Sequence, residues 1–351
     1  MNGVRQRYRE VQPEDEKPIK IEKLWIFPMR GVMGIEVPEI KVSKWGIKYD
    51  REWAIYEKGG KFGCVTQSPE VKLTQLRQKI EKNPATKEKH LVITIIESHR
   101  DQAPEGLPHE LRIPIKHVDG EVVDTGKTKG ILQGKEFDEW FSKFLGKEVM
   151  LLRAAPGFKK GIPLEIMKWG SEEDQTRTFV SKCVFHMVNE QSTRDLEKRV
   201  LDKYSDAADR EKIKITSMAF RPNIVIDTAE AYEEDLLQEF RIGSTMVRNV
   251  GFCSRCKAVA SNYETNDRNP EMEPNPTLAS YRKHELGTLF GTYHMVEIIP
   301  SEEVFKKLLP GFDVPKDRKL SEQYGVVRIG DNIMVRVKEQ RITFDASTQA
   351  K

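Results

Sequence analysis

The 351-residue sequence predicts an α+β, mostly β chain, built as two β-barrel-like domains with attached helices. Three observations predict it. Short apolar runs of strand length, separated by turn residues, fill the first third of the chain; a second set begins near Val184; and helical spacing of apolar residues is clearest in two segments that lie beside strand runs.

Taken in order, Ile19, Ile21, Leu24, Trp25, Ile26 and Phe27 mix alternation with a continuous apolar end, and Pro28 closes a strand. Arg51 to Tyr56, Phe62 to Thr66, His90 to Ile96 and Glu110 to Val118 are further strand candidates, with Gly59-Gly60 offering a hairpin turn between the first two. Phe137, Trp140, Phe141 and Leu145 recur at helical spacing between Gly134 and the expected stop Gly146, with Trp140 and Phe141 read as core packing. Glu148 to Arg153 returns to an extended run, and Ala155-Pro156-Gly157 through Gly170 reads as a boundary. Beyond it, a strand near Val184 to Val188 precedes a helix from Gln191 to about Lys203, capped by Ser192 and with Leu196, Val200 and Leu201 on its apolar face. Asn223 to Asp227, Ser244 to Phe252, Lys257 to Ala260, Leu289 to Ile299 and Gly325 to Val337 complete the strand candidates. The expected partition is an arm (1–18), a first barrel (19–155), a linker (156–182), a second barrel (183–340) and a tail (341–351). Residues 300–324 interrupt the second barrel as a lysine-rich insert carrying Val304, Leu308, Leu309 and Phe312.

Composition narrows the function classes. Lys and Arg total 58 against 55 for Asp and Glu, so the net field gives no reason to expect nucleic acid or an anionic membrane as partner. Four cysteines do not make a disulfide framework, which favours a reducing compartment, cytosol or mitochondrial matrix, over secretion. No apolar run approaches the roughly 20 residues of a transmembrane helix, and the first residues lack a signal-peptide core. Three arginines precede any acid in the arm, but Glu10, Glu14, Asp15 and Glu16 follow, so it reads as a solvated arm.

The sharpest chemical signal is Cys253-Ser254-Arg255-Cys256, which follows an apolar strand. A thiolate is a soft-metal ligand, and an adjacent guanidinium lowers the thiol pKa and can grip an anion. The chain has no second cysteine pair with structural-zinc spacing.

Several segments in order carry a family resemblance. Leu24-Trp25-Ile26-Phe27-Pro28 followed by Gly46, Asp50-Arg51 and Trp53 resembles the amino-terminal barrel of the MOSC family. Phe220 to Ile226, Glu233-Glu234-Asp235 with Ile242-Gly243, Cys253 to Cys256, Tyr281-Arg282, Phe290-Gly291 with Tyr293, and Ile329-Gly330-Asp331 resemble its carboxy-terminal MOSC domain. The layout is similar to the amidoxime-reducing component; molybdenum cofactor sulfurase shares the carboxy-terminal domain. The resemblance implies a molybdenum cofactor with Cys256 as catalytic thiolate and metal ligand. It implies that Arg51, Arg221 and Arg255 hold the pterin and its phosphate, with Asn223 and Ser254 adding neutral hydrogen bonds. An enzyme of this kind reduces N-hydroxylated compounds with electrons from a cytochrome b5-like donor, in the mitochondrion by resemblance, with the cytosol as alternative.

The departures from the family pattern fall on the same pocket. Arg30-Gly31 replaces Lys-Ser, Cys64-Val65-Thr66 replaces Thr-x-Arg, Lys182-Cys183 replaces Thr-Ser, and Val259-Ala260 replaces paired threonines. Arg30 and Lys182 are the cations that could compensate, since each lost charge-assisted hydrogen bond is worth about 1.5–3 kcal/mol. A second reading therefore stands beside the enzyme: a degenerate MOSC scaffold without cofactor, serving as an accessory subunit of a larger, mitochondrial complex. Residue-level alternatives stand too. Cys256 is either a ligand, a buried small hydrophobe or half of a disulfide with Cys253, which itself reads as structural; Arg51 and Arg221 either hold a ligand or neutralise Asp50 and other carboxylates; Asn223 either contacts the cofactor or satisfies backbone. Cys64 and Cys183 could join the other thiols in a zinc-type site. The seven histidines read as surface or core residues, and Glu233-Glu234-Asp235 as a solvated face.

Overall fold

A computed structural model describes residues 8–10, 19–43, 45–59, 63–66, 70–116, 119–126, 128–155, 160–161, 175–176, 178–180, 183–206, 210, 213–243, 245–261, 268–298 and 325–339. The insert 300–324, the tail 341–351, Gly60 of the expected hairpin turn, and most of the arm and linker lie outside them.

The chain is mostly β, and its centre is a closed barrel of seven strands. These are β1 (Ile19–Ile26), β2 (Phe185–Asn189), β3 (Ile224–Asp227), β4 (Leu237–Ile242), β5 (Thr245–Ser254), β6 (Gly287–Ile298) and β7 (Asn332–Glu339). The hydrogen-bonded order runs β7, β4, β5, β6, β2, β3, β1 and returns to β7 through Ile19–Ile333 and Lys20–Asn332. Neighbours are antiparallel except β2 and β3, which pair in parallel. Closure removes the exposed edges that an open sheet would leave. Alternation fills the interior: Ile21 and Leu24 of β1, Phe185 and Met187 of β2, Ile224 and Ile226 of β3, Phe240 of β4 and Met295 of β6 pack into one buried cluster. Tyr8–Glu10 of the arm pairs with Val337–Glu339, extending that wall.

Chain order and spatial order part company here. β1 belongs to the amino-terminal segment yet closes the barrel made by the carboxy-terminal half, and Gly325–Arg328 returns to pair with Glu39–Ser43. The remaining amino-terminal residues form two sheets around a second core. Val122–Asp124, Lys129–Leu132, Val149–Ala154 and Trp53–Glu57 make one sheet; Leu76–Lys82, Lys89–Ile95 and Glu110–Pro114 make the other. Trp53, Ile55, Leu76, Leu91 and Ile93 meet there with Phe137, Trp140, Phe141 and Leu145 of helix α1 (Lys135–Leu145). Trp140 and Phe141 are core residues, as expected, and Gly146 ends α1 in the left-handed conformation at φ 73°.

Several local expectations change. Helix α2 (Glu190–Leu201) is capped by Asn189, whose side chain accepts the Gln191 N–H at 3.1 Å; Ser192 lies inside the first turn and accepts instead from Tyr232 N. Lys257–Ala260 is a 3-10 turn, because Cys256 already carries the chain out of the ladder. Of the expected strand Phe62 to Thr66, Phe62 lies outside the described residues and the rest forms a bridge, Tyr56 to Cys64. Leu76–Lys82 and β4 pass unnoticed in the sequence because charged residues break their apolar pattern. No helix among the described residues is long and apolar enough to cross a membrane.

Candidate functional site

Four segments converge at one end of the barrel. The turn after β1 brings Arg30 and Gly31, the turn after Gly46–Ile47 brings Arg51, and the 3-10 turn Ser217–Phe220 delivers Arg221 before β3; the exit of β5 supplies Cys253 to Cys256. Together with Thr66, Phe179, Val180, Cys183, His186 and Tyr293, among others, they line a cleft of about 300 Å³. Arg51 and Arg221 both sit at positive φ, 49° and 55°, conformations that strand geometry would not allow and that only the surrounding bonds hold.

Asn223 and Asp50 anchor this geometry from below. Asp50 is 1% exposed; its carboxylate accepts from Phe27 N at 2.8 Å, Asn223 Nδ2 at 3.0 Å and Arg51 Nη1 at 2.6 Å. Asn223 Oδ1 accepts from Arg51 Nη1 at 3.0 Å and His186 N at 3.3 Å, while Nδ2 also donates to Trp25 O at 3.1 Å. Arg51 Nη2 donates to Arg221 O at 3.2 Å, and Arg221 Nη1 to Val32 O at 2.8 Å. Both guanidiniums lie over the buried Phe27 ring, 4.3 and 4.4 Å from its centroid. Arg51 thus both pairs with Asp50 and faces the cleft, and Asn223 satisfies backbone and guanidinium at once.

Arg255 differs from Arg51 in having no carboxylate partner among the described residues. Its Nε donates to Phe290 O at 2.8 Å, Nη1 to Phe220 O at 3.1 Å, and Nη2 to His186 Nε2 at 2.5 Å and to Phe290 O. Four guanidiniums line the cleft and, among the described residues, no carboxylate does, so the surface an anion would touch is lined by positive charge. Cys256 is a free, exposed thiol at the rim, which removes the readings of it as a buried hydrophobe or a disulfide half. Cys253 is buried, with Sγ hydrogen-bonded to Tyr293 Oη at 2.9 Å; burial, then Cys253, pushes the Tyr293 phenol well above its ordinary pKa, so it stays neutral.

The sequence-marked residues are not all brought together. Arg30, Arg51, Arg221, Asn223, Ser254, Arg255 and Cys256 line the cleft; Lys182 lies outside the described residues. Cys183 lines it and donates to His294 O at 3.0 Å, but Cys64 packs instead with the cluster of Tyr56, Met150 and Phe179 on the sheet that holds Trp53–Glu57. Among the described residues no three metal-ligating side chains cluster, so the four-thiol site does not form. Gly31 does more than lose a hydroxyl: its φ of 94° and the Leu73 Cδ1 atom 2.8 Å from an ideal Cβ leave no place for a side chain.

Two readings of the polar residues are overturned. Glu234 and Asp235 are 0% and 7% exposed, not a solvated face, because the 3-10 turn Glu233–Leu236 tucks them under β4. Asp235 pairs with buried Arg282 at 2.7 Å and Glu234 accepts from Ser192 Oγ at 2.9 Å; burial, then the Asp235 charge, pushes Glu234 up to about 7. His186, which nothing in the sequence set apart from six other histidines, belongs to the cleft wall. The signal that could have found it is its place on β2 opposite the inward Phe185 and Met187.

Comparison with known proteins agrees with this architecture. Residues 19–148 match the MOSC N-terminal beta barrel domain and residues 174–334 the MOSC domain. Molybdenum cofactor sulfurase of Oryza sativa subsp. japonica is 25% identical over 283 residues, 78% of this chain but 32% of that protein, so the chain spans about a third of the sulfurases it matches. Mitochondrial amidoxime reducing component 2 of Homo sapiens is 26% identical over 298 residues, 81% of each chain, and mitochondrial amidoxime-reducing component 1 of Homo sapiens is 25% identical, covering 79% and 78%. With both domains matched in order across the barrel and the cleft it supports, the chain belongs to the MOSC family.

Proposed function

We propose that the protein binds a molybdenum–pterin cofactor in the arginine-lined cleft, with Cys256 as its thiolate ligand, and reduces N-hydroxylated compounds with electrons from an external, cytochrome b5-like donor. One observation carries the reading: a cleft of about 300 Å³ with four guanidiniums, no carboxylate among the described residues of its lining and an exposed free thiol at its rim. That donor set fits a phosphate-bearing group with a soft metal, and the volume lies at the lower end of small-molecule sites. Arg51, Arg221 and Arg255 would hold the anionic end with Arg30 beside them, Asn223 and Ser254 would add neutral contacts, and Lys182 enters on the sequence alone. Two-electron redox chemistry would be supplied by the bound metal. The chain's own part is to bind and exclude: Cys256 offers an exposed thiol at the rim, and Phe179, Val180 and Val259 give the cleft an apolar side that keeps water away. A mitochondrial location, supported by the names of the amidoxime-reducing relatives, belongs to this reading, with the cytosol as alternative.

The test is molybdenum and pterin content of the full chain from a cofactor-competent host. About one of each per chain, with molybdenum and reductase activity lost in Cys256→Ser, is the expected result; neither group in the wild type would overturn it. A second reading, a scaffold without cofactor in a larger complex, is favoured by the Arg51 and Arg255 donors already engaged within the protein and by the apolar Ala258–Val259 wall. Its mark would be co-purification at a native mass above that of the chain; a lone monomer in native extract would end it.

A further inference from the structure

We infer that His186 is the positioning residue of the cleft: a neutral imidazole that fixes Arg255 and ties it to Arg51 and Arg221, so that three guanidiniums meet an anion as one preset array. This rests on the anion-binding part of the proposed function and deepens it. Side chains alternate along β2, with Phe185 and Met187 in the barrel core and His186 on the opposite face, 6% exposed beneath the cleft. Three connections leave this one residue. Its Nε2 takes the Arg255 Nη2 donor at 2.5 Å; its N–H shares Asn223 Oδ1 with Arg51 Nη1; and its carbonyl accepts from Asn223 N at 2.8 Å. Arg51 Nη2 carries the link on to Arg221 by donating to its main-chain O at 3.2 Å.

The chemistry of the contact fixes the ring's state. A guanidinium only donates, so Nε2 must carry a lone pair and the proton must sit on Nδ1. Among the described residues, the charged and titratable groups around the ring are Arg255, Arg51, His294, Tyr293 and Cys253, with no carboxylate among them. Burial first, then the Arg255 and Arg51 charges, hold the imidazole well below its usual pKa, consistent with the geometry. Gly291, at φ 72°, makes room for the ring: an ideal Cβ there would lie 2.5 Å from Nε2, so any side chain at that position would push the imidazole off Arg255. The consequence is specific. A carboxylate in this position would hold Arg255 equally well but would cancel its charge; a neutral acceptor orients the guanidinium and leaves the charge to the ligand.

The experiment is titration of inorganic phosphate into the full chain by calorimetry, for wild type, His186→Leu, His186→Gln and Arg221→Ala. Wild type binds; His186→Leu weakens binding about tenfold, the scale of one charge-assisted hydrogen bond; His186→Gln, whose Oε1 can accept from Arg255, stays within about twofold. Absence of phosphate binding in the wild type would overturn the anion-cleft reading itself. Binding that Arg221→Ala weakens but His186→Leu leaves unchanged would overturn only the role of His186, as would failure of glutamine to rescue. Independently of any variant's folding, nitrogen NMR of the wild-type imidazole should show Nδ1 protonated and Nε2 bare; the opposite tautomer refutes the inference.

Discussion

Asn223→Ala is the perturbation that probes the buried support of the cleft most directly. Asn223 is 1% exposed and makes four contacts through its side chain: it accepts from Arg51 and His186 N, and donates to Asp50 and Trp25 O. Removing it leaves a carboxylate, a guanidinium and two main-chain groups each short of a partner in a place water does not reach. Each such loss costs about 1 kcal/mol and more where a charge is involved, so the sum is about 3–5 kcal/mol. Asn223→Asp keeps the shape and the Arg51 contact but turns the donor into an oxygen facing Asp50 Oδ1, which was 3.0 Å from Nδ2. Two carboxylates at that separation repel, so this variant is also destabilised and regains stability as the pH falls and one of them takes a proton. Urea unfolding measures both, as a lowered midpoint at unchanged slope. A loss below about 1 kcal/mol in Asn223→Ala would refute the claim that this side chain holds the arginine turns in place.

Other outcomes follow from the same structure. Glu234 is held at about 7, above its unfolded value of 4.5, so its contribution is fully present below pH 4.5 and is lost as pH rises through 7; Glu234→Gln should flatten that part of the stability profile, by about 3 kcal/mol across the window, in urea unfolding at stepped pH. Gly31→Ser, restoring the family's residue, should destabilise by about 1–2 kcal/mol in the same assay, since φ is 94° and Leu73 must move; a stabilised variant would show that the turn adapts freely. Iodoacetamide followed by peptide mass mapping should label Cys256 well before Cys183 and Cys253, which are 5% and 6% exposed; equal rates would mean that the cleft opens on the labelling timescale.

Local pattern and chemistry were legible in the chain before folding was considered. Phe137, Trp140, Phe141 and Leu145 announced α1, Gly146 its end, and the alternation around Ile21 and Leu24 the wall of a barrel, because side-chain period is a property of neighbours in sequence. The arginines of the cleft and Cys256 were marked by the order of their motifs. Tertiary structure alone decided which partners those groups met: that Asp50 lies under Asn223, that Cys64 stays with the sheet that holds Trp53–Glu57 while Cys183 reaches the cleft, and that Glu234 and Asp235 turn inward to Ser192 and Arg282. His186 shows the division most clearly. Its alternation on β2 was readable in sequence, but its link to Arg255, 69 residues away, exists only because β6 lies between β2 and β5 in the closed barrel and brings the exit of β5 over the imidazole. Sequence fixes what each residue can donate, accept or bury; barrel closure selects the distant group that receives it.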